Sequence, residues 1–344
     1  MRRPWWGPAP HDDQRSVLDL VDDLAGDRLQ RTDDDPSALA AARQVLAEHG
    51  LWTLGADEAA GGGGADRRTT LLTLARLAGT WPALAWAGVQ AHAACLLTAE
   101  SAGGADLLAD AHRAEPVAVV DAADGQVEVV DRRASGVLDR VDATAADPRV
   151  IALVDRNTAV LLPPHAVVHG PVLRRTGFGG AMTHACAVHG DIHDDDLVTG
   201  PVVERARTSL LAGAAAIAAG TAEAAAYAAL SYSREREQFG GPLTDLPTVR
   251  ASLSTQVATV RRLLQTALDG TNADDSVARA AALSPMLDDA VDVVADAVQS
   301  HGGYGYMVEY RVEGLLRDLV SLRAASGATE AARWAADALV EAGA

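Results

Sequence analysis

At 344 residues the chain is long enough for two or three domains, and a chain of this size buries about three quarters of its unfolded surface. A net charge of −18 argues against sequence-independent nucleic-acid binding, which depends on cationic side chains that neutralise phosphates. Only two cysteines are present, Cys95 and Cys186, too few for a disulfide framework. We therefore expect a protein of the reducing cytoplasm with a core built from Ala, Val and Leu.

Two segments bear on membrane targeting. The first ten residues, MRRPWWGPAP, have no apolar core of signal-peptide length. Residues Leu210–Leu230 are apolar, but mostly through alanine, and they include Glu223, which is costly at the centre of a bilayer. We interpret this segment as a buried bundle helix and expect no membrane association.

The chain divides into three zones, taken in order. Residues 1–113 show apolar residues at helical spacing; in one helix Asp35 is a cap, Pro36 occupies the first position and Gly50 is a stop signal. Residues 114–198 contain short β-branched runs separated by Asp, Gly, Asn and Pro, which predict a small β sandwich or barrel. Residues 199–344 return to long helices, forming a C-terminal four-helix bundle domain. The predicted fold is therefore mainly α with a central β domain.

The C-terminal zone contains three long helical patterns, predicted over Glu204–Glu237, Thr248–Leu268 and Ala278–Ser300. Common catalytic signatures are absent. The glycine-rich runs GGGGAD and TGFGGA do not give a phosphate-binding pattern, and no G-x-S-x-G motif appears.

A metal site is considered and not predicted. The polar group formed by His184, His189, Asp191, His193 and Asp194–Asp196 has a spacing that matches no known ligand template. We interpret this group as a solvated acidic linker that follows the last strands. Both cysteines are expected to be small core residues.

Two stretches of the bundle carry the strongest signal. SREREQFGGPL ends one helix, and AVQSHGGYGYMVEYRVEGLLRD follows about 60 residues later. Together they resemble the C-terminal domain of the acyl-CoA dehydrogenase family, in which R-x-x-F-G closes one bundle helix and Q-x-H-G-G-x-G-Y closes another, followed by an E-Y-x-V-E-x-x-x-R-D run. The matching residues are Arg236, Phe239, Gly240, Gln299, His301, Gly302, Gly303, Gly305, Tyr306, Glu309, Tyr310, Val312, Glu313, Arg317 and Asp318.

The resemblance implies FAD bound at a subunit interface, with the bundle of one subunit holding the ADP part of its neighbour's cofactor. Arg236 would meet the pyrophosphate as a guanidinium fork, and Gly302 and Gly303 would let the backbone approach closely. Gln299 would hydrogen-bond near the same group, and Phe239 would pack on the edge of the cofactor. The alternative is an ordinary helix C-cap with Arg236 in a surface ion pair.

The family's catalytic base is missing at both of its usual places. The resemblance implies a glutamate either at Ser326 or at Leu210, and neither residue can take up the α-proton. Glu330 and Glu204 are possible substitutes, although ordinary solvated carboxylates are the favoured interpretation. The middle domain also lacks the motifs with which family members hold their own flavin, and Pro247 replaces a glutamine beside the cofactor.

The resemblance is therefore closest to the base-lacking subunits of heterotetrameric actinobacterial members, which act in lipid or steroid metabolism. It implies an acyl-CoA or acyl-carrier thioester substrate and a paralogous subunit that supplies the base. Two alternatives stay open: a self-sufficient flavoenzyme with oxidase or monooxygenase chemistry in a biosynthetic pathway, and a flavin-free interaction protein on the same fold.

Overall fold

The structure is a computed structural model, and it describes residues 3–29, 31, 35–99, 101–122, 125–269 and 275–341. Helices come first, then two small sheets, then a second group of helices, in agreement with the predicted fold class. The long helices are α1 (Asp12–Asp27), α2 (Pro36–Glu48), α3 (Arg67–Ala78), α4 (Pro82–Ala99), α5 (Ala105–His112), α6 (Pro201–Glu235), α7 (Pro247–Leu268), α8 (Ser276–His301), α9 (Val312–Ala325) and α10 (Ala328–Glu341).

Helix α6 is the centre of the helical core. It packs against α3, α4, α7 and α8, and its alanines let these neighbours approach on several sides. Gly220 and Gly213 mark the closest approaches, because a Cβ at either position would overlap Ala75 of α3 or Val89 of α4. By length and composition α6 could cross a membrane, but 94% of its most apolar window is buried inside the protein. We interpret it as a core helix.

In the described part of the middle region, eight strands form two four-stranded sheets, ordered β1-β4-β5-β8 and β2-β3-β7-β6. Only β1 and β4 pair in parallel among the described ladders; the other pairs in these two sheets are antiparallel. Both sheets contribute to one apolar cluster, as expected for a sandwich. The strands are β1 (Val117–Asp121), β2 (Val127–Val130), β3 (Arg133–Val141), β4 (Arg149–Leu153), β5 (Thr158–Leu162), β6 (Val167–His169), β7 (His184–Asp191) and β8 (Leu197–Thr199).

One sequence-based interpretation was wrong. The segment interpreted as an acidic linker, residues 184–196, contains strand β7 and a short 3₁₀ turn at Asp194–Asp196, which leads directly into β8. The error has a physical reason: on β7 buried and exposed residues alternate, so His189 lies on the outer face while His184 is buried. In the sequence, charged residues on one face of a strand look the same as charged residues of a solvent-exposed loop.

Candidate cofactor-binding site

The two sequence motifs meet at one end of the bundle. Helix α6 ends at Glu235, and the Arg236 backbone N–H still donates to the Tyr232 carbonyl at 2.9 Å. The guanidinium of Arg236 lies over the ring of Tyr304, 5.6 Å from its centroid. Tyr304 belongs to the glycine turn that follows α8. The fold therefore brings Arg236 next to the Gly302–Tyr306 turn.

Arg236 is half-buried, and none of the described carboxylates lies within ion-pair distance of it. Its contact with Tyr304 is a cation–π interaction, which leaves the N–H donors of the guanidinium edge available. The alternative of a surface ion pair with Glu235 is therefore not what the side-chain geometry shows. A half-buried guanidinium with free donors is suited to binding an anion.

A tight hairpin follows Arg236 and exposes Phe239. Glu237–Gln238 pairs with Gly241–Pro242, and the two residues of the turn both have positive φ, 57° for Phe239 and 94° for Gly240. Positive φ is rare for an aromatic residue, so the turn holds Phe239 in a strained conformation. Its side chain is 87% exposed. The chain itself gains no packing from this side chain.

The glycines after α8 have different reasons to be glycine. Gly302 has a φ of 59°, which suits glycine. A Cβ at Gly305 would overlap the Val298 carbonyl oxygen. A Cβ at Gly303 would meet no atom within 4 Å, and its φ is not positive. No contact with the described residues explains glycine at position 303, so the open space beside the backbone fits a group from outside.

An aromatic cluster holds this end of the bundle together. Tyr232 stacks on His301 with ring centroids 4.5 Å apart, and Tyr310 contacts both rings. His301 Nδ1 bonds the Ala297 carbonyl at 2.7 Å, and burial lowers the pKa of its ring. The sequence motif contains His301, but it did not predict that Tyr232 would belong to the same cluster. The available signal was its position one helical turn before Arg236.

Several apolar side chains of these two segments are exposed. Besides Phe239 they include Tyr306, 75% exposed, and Val308, 86% exposed. Gln299 is also exposed, three residues before Gly302, and its side-chain amide bonds none of the described residues. We call Phe239, Tyr306, Met307 and Val308 the bundle rim. Exposed apolar groups of this kind commonly mark a binding surface.

Neither position of the family's base carries an acid. Ser326 caps the end of α9, and its hydroxyl lies 3.4 Å from the Arg323 carbonyl, to which it donates. Leu210 is buried within α6. A neutral serine hydroxyl and a leucine cannot accept the α-proton of a thioester at neutral pH.

The two substitute carboxylates are differently placed. Glu204 accepts a hydrogen bond from Arg207 at 3.0 Å, and Arg207 also pairs with Asp121. Glu330 is exposed on the first turn of α10. Arg207 occupies the Glu204 carboxylate, and Glu330 faces solvent outside any site that excludes water. Neither has the surroundings of a catalytic base.

Polar side chains at the junction between the middle region and α9 satisfy one another. Arg140 pairs with Asp142 and donates to the Ser321 carbonyl at 3.2 Å. Arg175 donates to the Ser321 hydroxyl at 3.3 Å, and Thr183 donates to Asp142. These groups stabilise the packing of the middle region against α9, and the hydrogen-bond donors named here are engaged within the chain.

The cysteines belong to other elements, Cys95 to α4 and Cys186 to β7. Burial raises the pKa of the Cys95 thiol to about 12 and that of Cys186 to about 11. Both thiols are therefore protonated at neutral pH and lack nucleophile character.

Comparison with known proteins gives a consistent result. Residues 204–336 match the family described as acyl-CoA dehydrogenase, C-terminal domain. An acyl-CoA dehydrogenase of Bacillus subtilis (strain 168) is 37% identical over 126 residues, which cover 35% of this chain and 33% of that protein. The matched region thus spans about a third of the length of the curated relatives.

Two solved structures share the fold over nearly the whole chain. Butyryl-CoA dehydrogenase from Megasphaera elsdenii has a TM-score of 0.80 at 20% identity, covering 97% of this chain and 99% of that one. Glutaryl-CoA dehydrogenase from Mycobacterium smegmatis has a TM-score of 0.80 at 16% identity, covering 98% and 96%. At these identities the likeness concerns the fold.

Proposed function

Since this chain belongs to the acyl-CoA dehydrogenase family by its C-terminal domain and has that family's fold throughout, we propose that it is a cytoplasmic subunit of an FAD-dependent acyl-CoA dehydrogenase. The reaction is the α,β-desaturation of an acyl thioester. FAD, when bound, accepts the hydride equivalent that leaves the β-carbon. The residues of this chain bind and position the cofactor, while a paralogous partner subunit supplies the catalytic base.

The observation that carries the proposal is the state of Arg236. Its guanidinium is half-buried, has no carboxylate partner among the described residues and lies beside Tyr304 of the glycine turn. The pyrophosphate of FAD matches a guanidinium fork in charge and geometry. The open space at Gly303 leaves room for the same group against the backbone. Gln299, exposed three residues before Gly302, adds an amide.

The missing base supports an enzyme of two different subunits, in which the partner supplies the carboxylate that this chain lacks. An enzyme of this class needs a carboxylate to take the α-proton, and Ser326 and Leu210 offer none. The bundle rim supports a partner subunit, because Phe239 and Val308 are exposed apolar side chains on the two segments that carry Arg236 and Gly303. The partner that covers the rim would hold the flavin ring and the acyl chain.

The test is the flavin content of the chain alone and in its native complex. A tagged copy is purified once from a heterologous host and once from the source organism, and visible absorbance is measured in both. We expect a colourless chain alone and a yellow complex. The co-purified chain should be an acyl-CoA dehydrogenase subunit with a glutamate at one of the two base positions.

Other outcomes identify the alternatives. A stable, yellow homo-oligomer of this chain that turns over acyl-CoA would contradict the proposal and identify a self-sufficient flavoenzyme. A colourless protein in both preparations would identify a flavin-free interaction protein.

A further inference from the structure

Two histidines and a cysteine come together on the inner face of the second sheet. His169 is the last residue of β6 and lies directly opposite Cys186 of β7. His184 is two residues before Cys186 on β7, so their side chains point to the same face. One ligand atom from each of the three residues lies within 4.8 Å of the other two.

The distances are close to those of a metal centre. His169 Nδ1 lies 3.0 Å from His184 Nε2 and 3.2 Å from Cys186 Sγ. Around a tetrahedral Zn²⁺ with bonds of about 2.0–2.1 Å to nitrogen and about 2.3 Å to sulfur, neighbouring ligand atoms are roughly 3.3–3.6 Å apart. A side-chain shift of a few tenths of an ångström, estimated from these values, would admit the ion.

The surroundings prepare His184 as a ligand. Its Nδ1 bonds the Met182 carbonyl at 2.9 Å, which places the proton on Nδ1 and leaves the Nε2 lone pair facing His169 Nδ1. His184 and Cys186 are buried, and β7 is held in register by β3. His169 is half-buried, so the fourth position of the ion would be open to water.

We propose that His169, His184 and Cys186 bind one Zn²⁺ ion. The Cys186 thiol would release its proton to water as the ion binds, and two imidazoles and a thiolate are ligands that zinc favours. The ion would fix the ends of β6 and β7, between which runs the connection that reaches α9. From that connection Arg175 donates to Ser321, and the Phe178 N–H donates to Asp318 at 2.5 Å. Zinc would therefore stabilise the contact between the middle region and α9.

The sequence did not predict this site because His169 comes from a different strand. The His-Asp group considered from the sequence included His184 but neither His169 nor Cys186. Its next member, His189, lies on the exposed face of β7 and contacts Arg133. The register between β6 and β7, which brings His169 opposite Cys186, is a tertiary feature.

The experiment uses the full chain, stripped with a chelator and then titrated with Zn²⁺ against a chromogenic indicator. We expect one ion per chain and a higher unfolding temperature with zinc. Titration with Co²⁺ should give the charge-transfer absorption of a cobalt–thiolate bond. His169→Ala and Cys186→Ala should weaken Zn²⁺ binding by about tenfold or more.

Two matched controls separate this site from adventitious binding. His189→Ala removes an exposed histidine from the opposite face of the same strand, and Cys95→Ala removes the other thiol; both should bind Zn²⁺ as the wild type does. Co²⁺ spectra of the wild type need no variant, so the test survives if a substitution prevents folding. Absence of the thiolate band, no stoichiometric Zn²⁺ binding, or unchanged binding by folded His169→Ala would overturn the proposal.

Discussion

The Asp318 carboxylate accepts hydrogen bonds from both terminal nitrogens of Arg31, at 2.5 and 3.2 Å, in a buried ion pair. The same carboxylate accepts the Phe178 N–H. It therefore joins three regions of the chain: the segment between α1 and α2, the connection between β6 and β7, and helix α9. Asp318 belongs to the R-D run used to identify the family, and in this chain it is a structural residue.

Replacing Asp318 by Asn should destabilise the protein. The amide keeps the shape but removes the charge that compensates Arg31, and breaking a buried pair in this way costs about 3–5 kcal/mol of unfolding free energy. Urea unfolding followed by circular dichroism measures the effect. The matched control is Asp289→Asn, because Asp289 pairs with Arg262 at 2.7 Å on the surface, where a pair contributes about 0–1 kcal/mol. Equal effects of the two substitutions would contradict the structural role.

Gly303 and Gly305 provide a second matched pair. Gly303→Ala should leave the unfolding free energy unchanged, because the added methyl group meets no atom of the described residues, and it should lower the flavin content of the complex. Gly305→Ala should destabilise the fold, because its methyl group would overlap the Val298 carbonyl oxygen. Thermal unfolding and visible absorbance of both variants test this. A Gly303→Ala complex with full flavin content would show that no cofactor group occupies the open space.

Ser326→Glu should not create dehydrogenase activity in this chain alone. A carboxylate at the end of α9 restores the acid, but Arg140, Arg175 and Asp142 of the middle region remain engaged with one another and with α9. The variant is mixed with FAD, an acyl-CoA series and a dye that accepts electrons, and dye bleaching is followed. Turnover well above that of the wild-type chain would mean that the rest of an active site is present.

Acid should destabilise the fold partly through His92. Its Nδ1 bonds the Gly88 carbonyl at 2.7 Å, and its Nε2 accepts the Gly55 N–H at 3.1 Å. Protonation of Nε2 would therefore place its N–H against the N–H of Gly55. Burial lowers the pKa of His92 in the folded state, whereas the unfolded chain titrates near its ordinary value. The contribution of neutral His92 to the unfolding free energy is therefore complete above about pH 6.5. It is lost as the pH falls below that value, by at most about 1.4 kcal/mol per pH unit.

His92→Gln tests this assignment, since glutamine does not titrate. Between about pH 7 and pH 5.5, a range that spans the ordinary pKa of histidine, the wild type should lose more unfolding free energy than the variant. Equal losses would assign the acid sensitivity to other groups.

The sequence predicted local features well and long-range pairings poorly. The ends of α6 and α8 follow from helix-stop signals, and the motifs around Arg236 and Gly302 predicted that these ends share a role. Arg31–Asp318 and the contact of His169 with Cys186 depend on how distant segments pack, which residue spacing does not encode. Strand β7 was missed because the residues of its outer face are polar. Over so few residues, the alternation of buried and exposed positions is hard to distinguish from a polar loop.

Arg236 gives the most direct test of the central claim, that this chain contributes cofactor contacts to a partner's flavin. Arg236→Ala removes a charge-assisted hydrogen bond of about 1.5–3 kcal/mol, equivalent to a roughly tenfold to hundredfold loss of FAD affinity. The fold should be unaffected, because the described carboxylates do not pair with Arg236. Arg262→Ala, at an exposed and paired arginine of α7, is the control.

The measurement is the flavin-to-protein ratio of the native complex after dialysis against low FAD, with circular dichroism to verify folding. We predict a lower ratio for Arg236→Ala than for the wild type and for Arg262→Ala. Equal ratios in all three complexes would show that Arg236 does not bind the cofactor and would contradict the account.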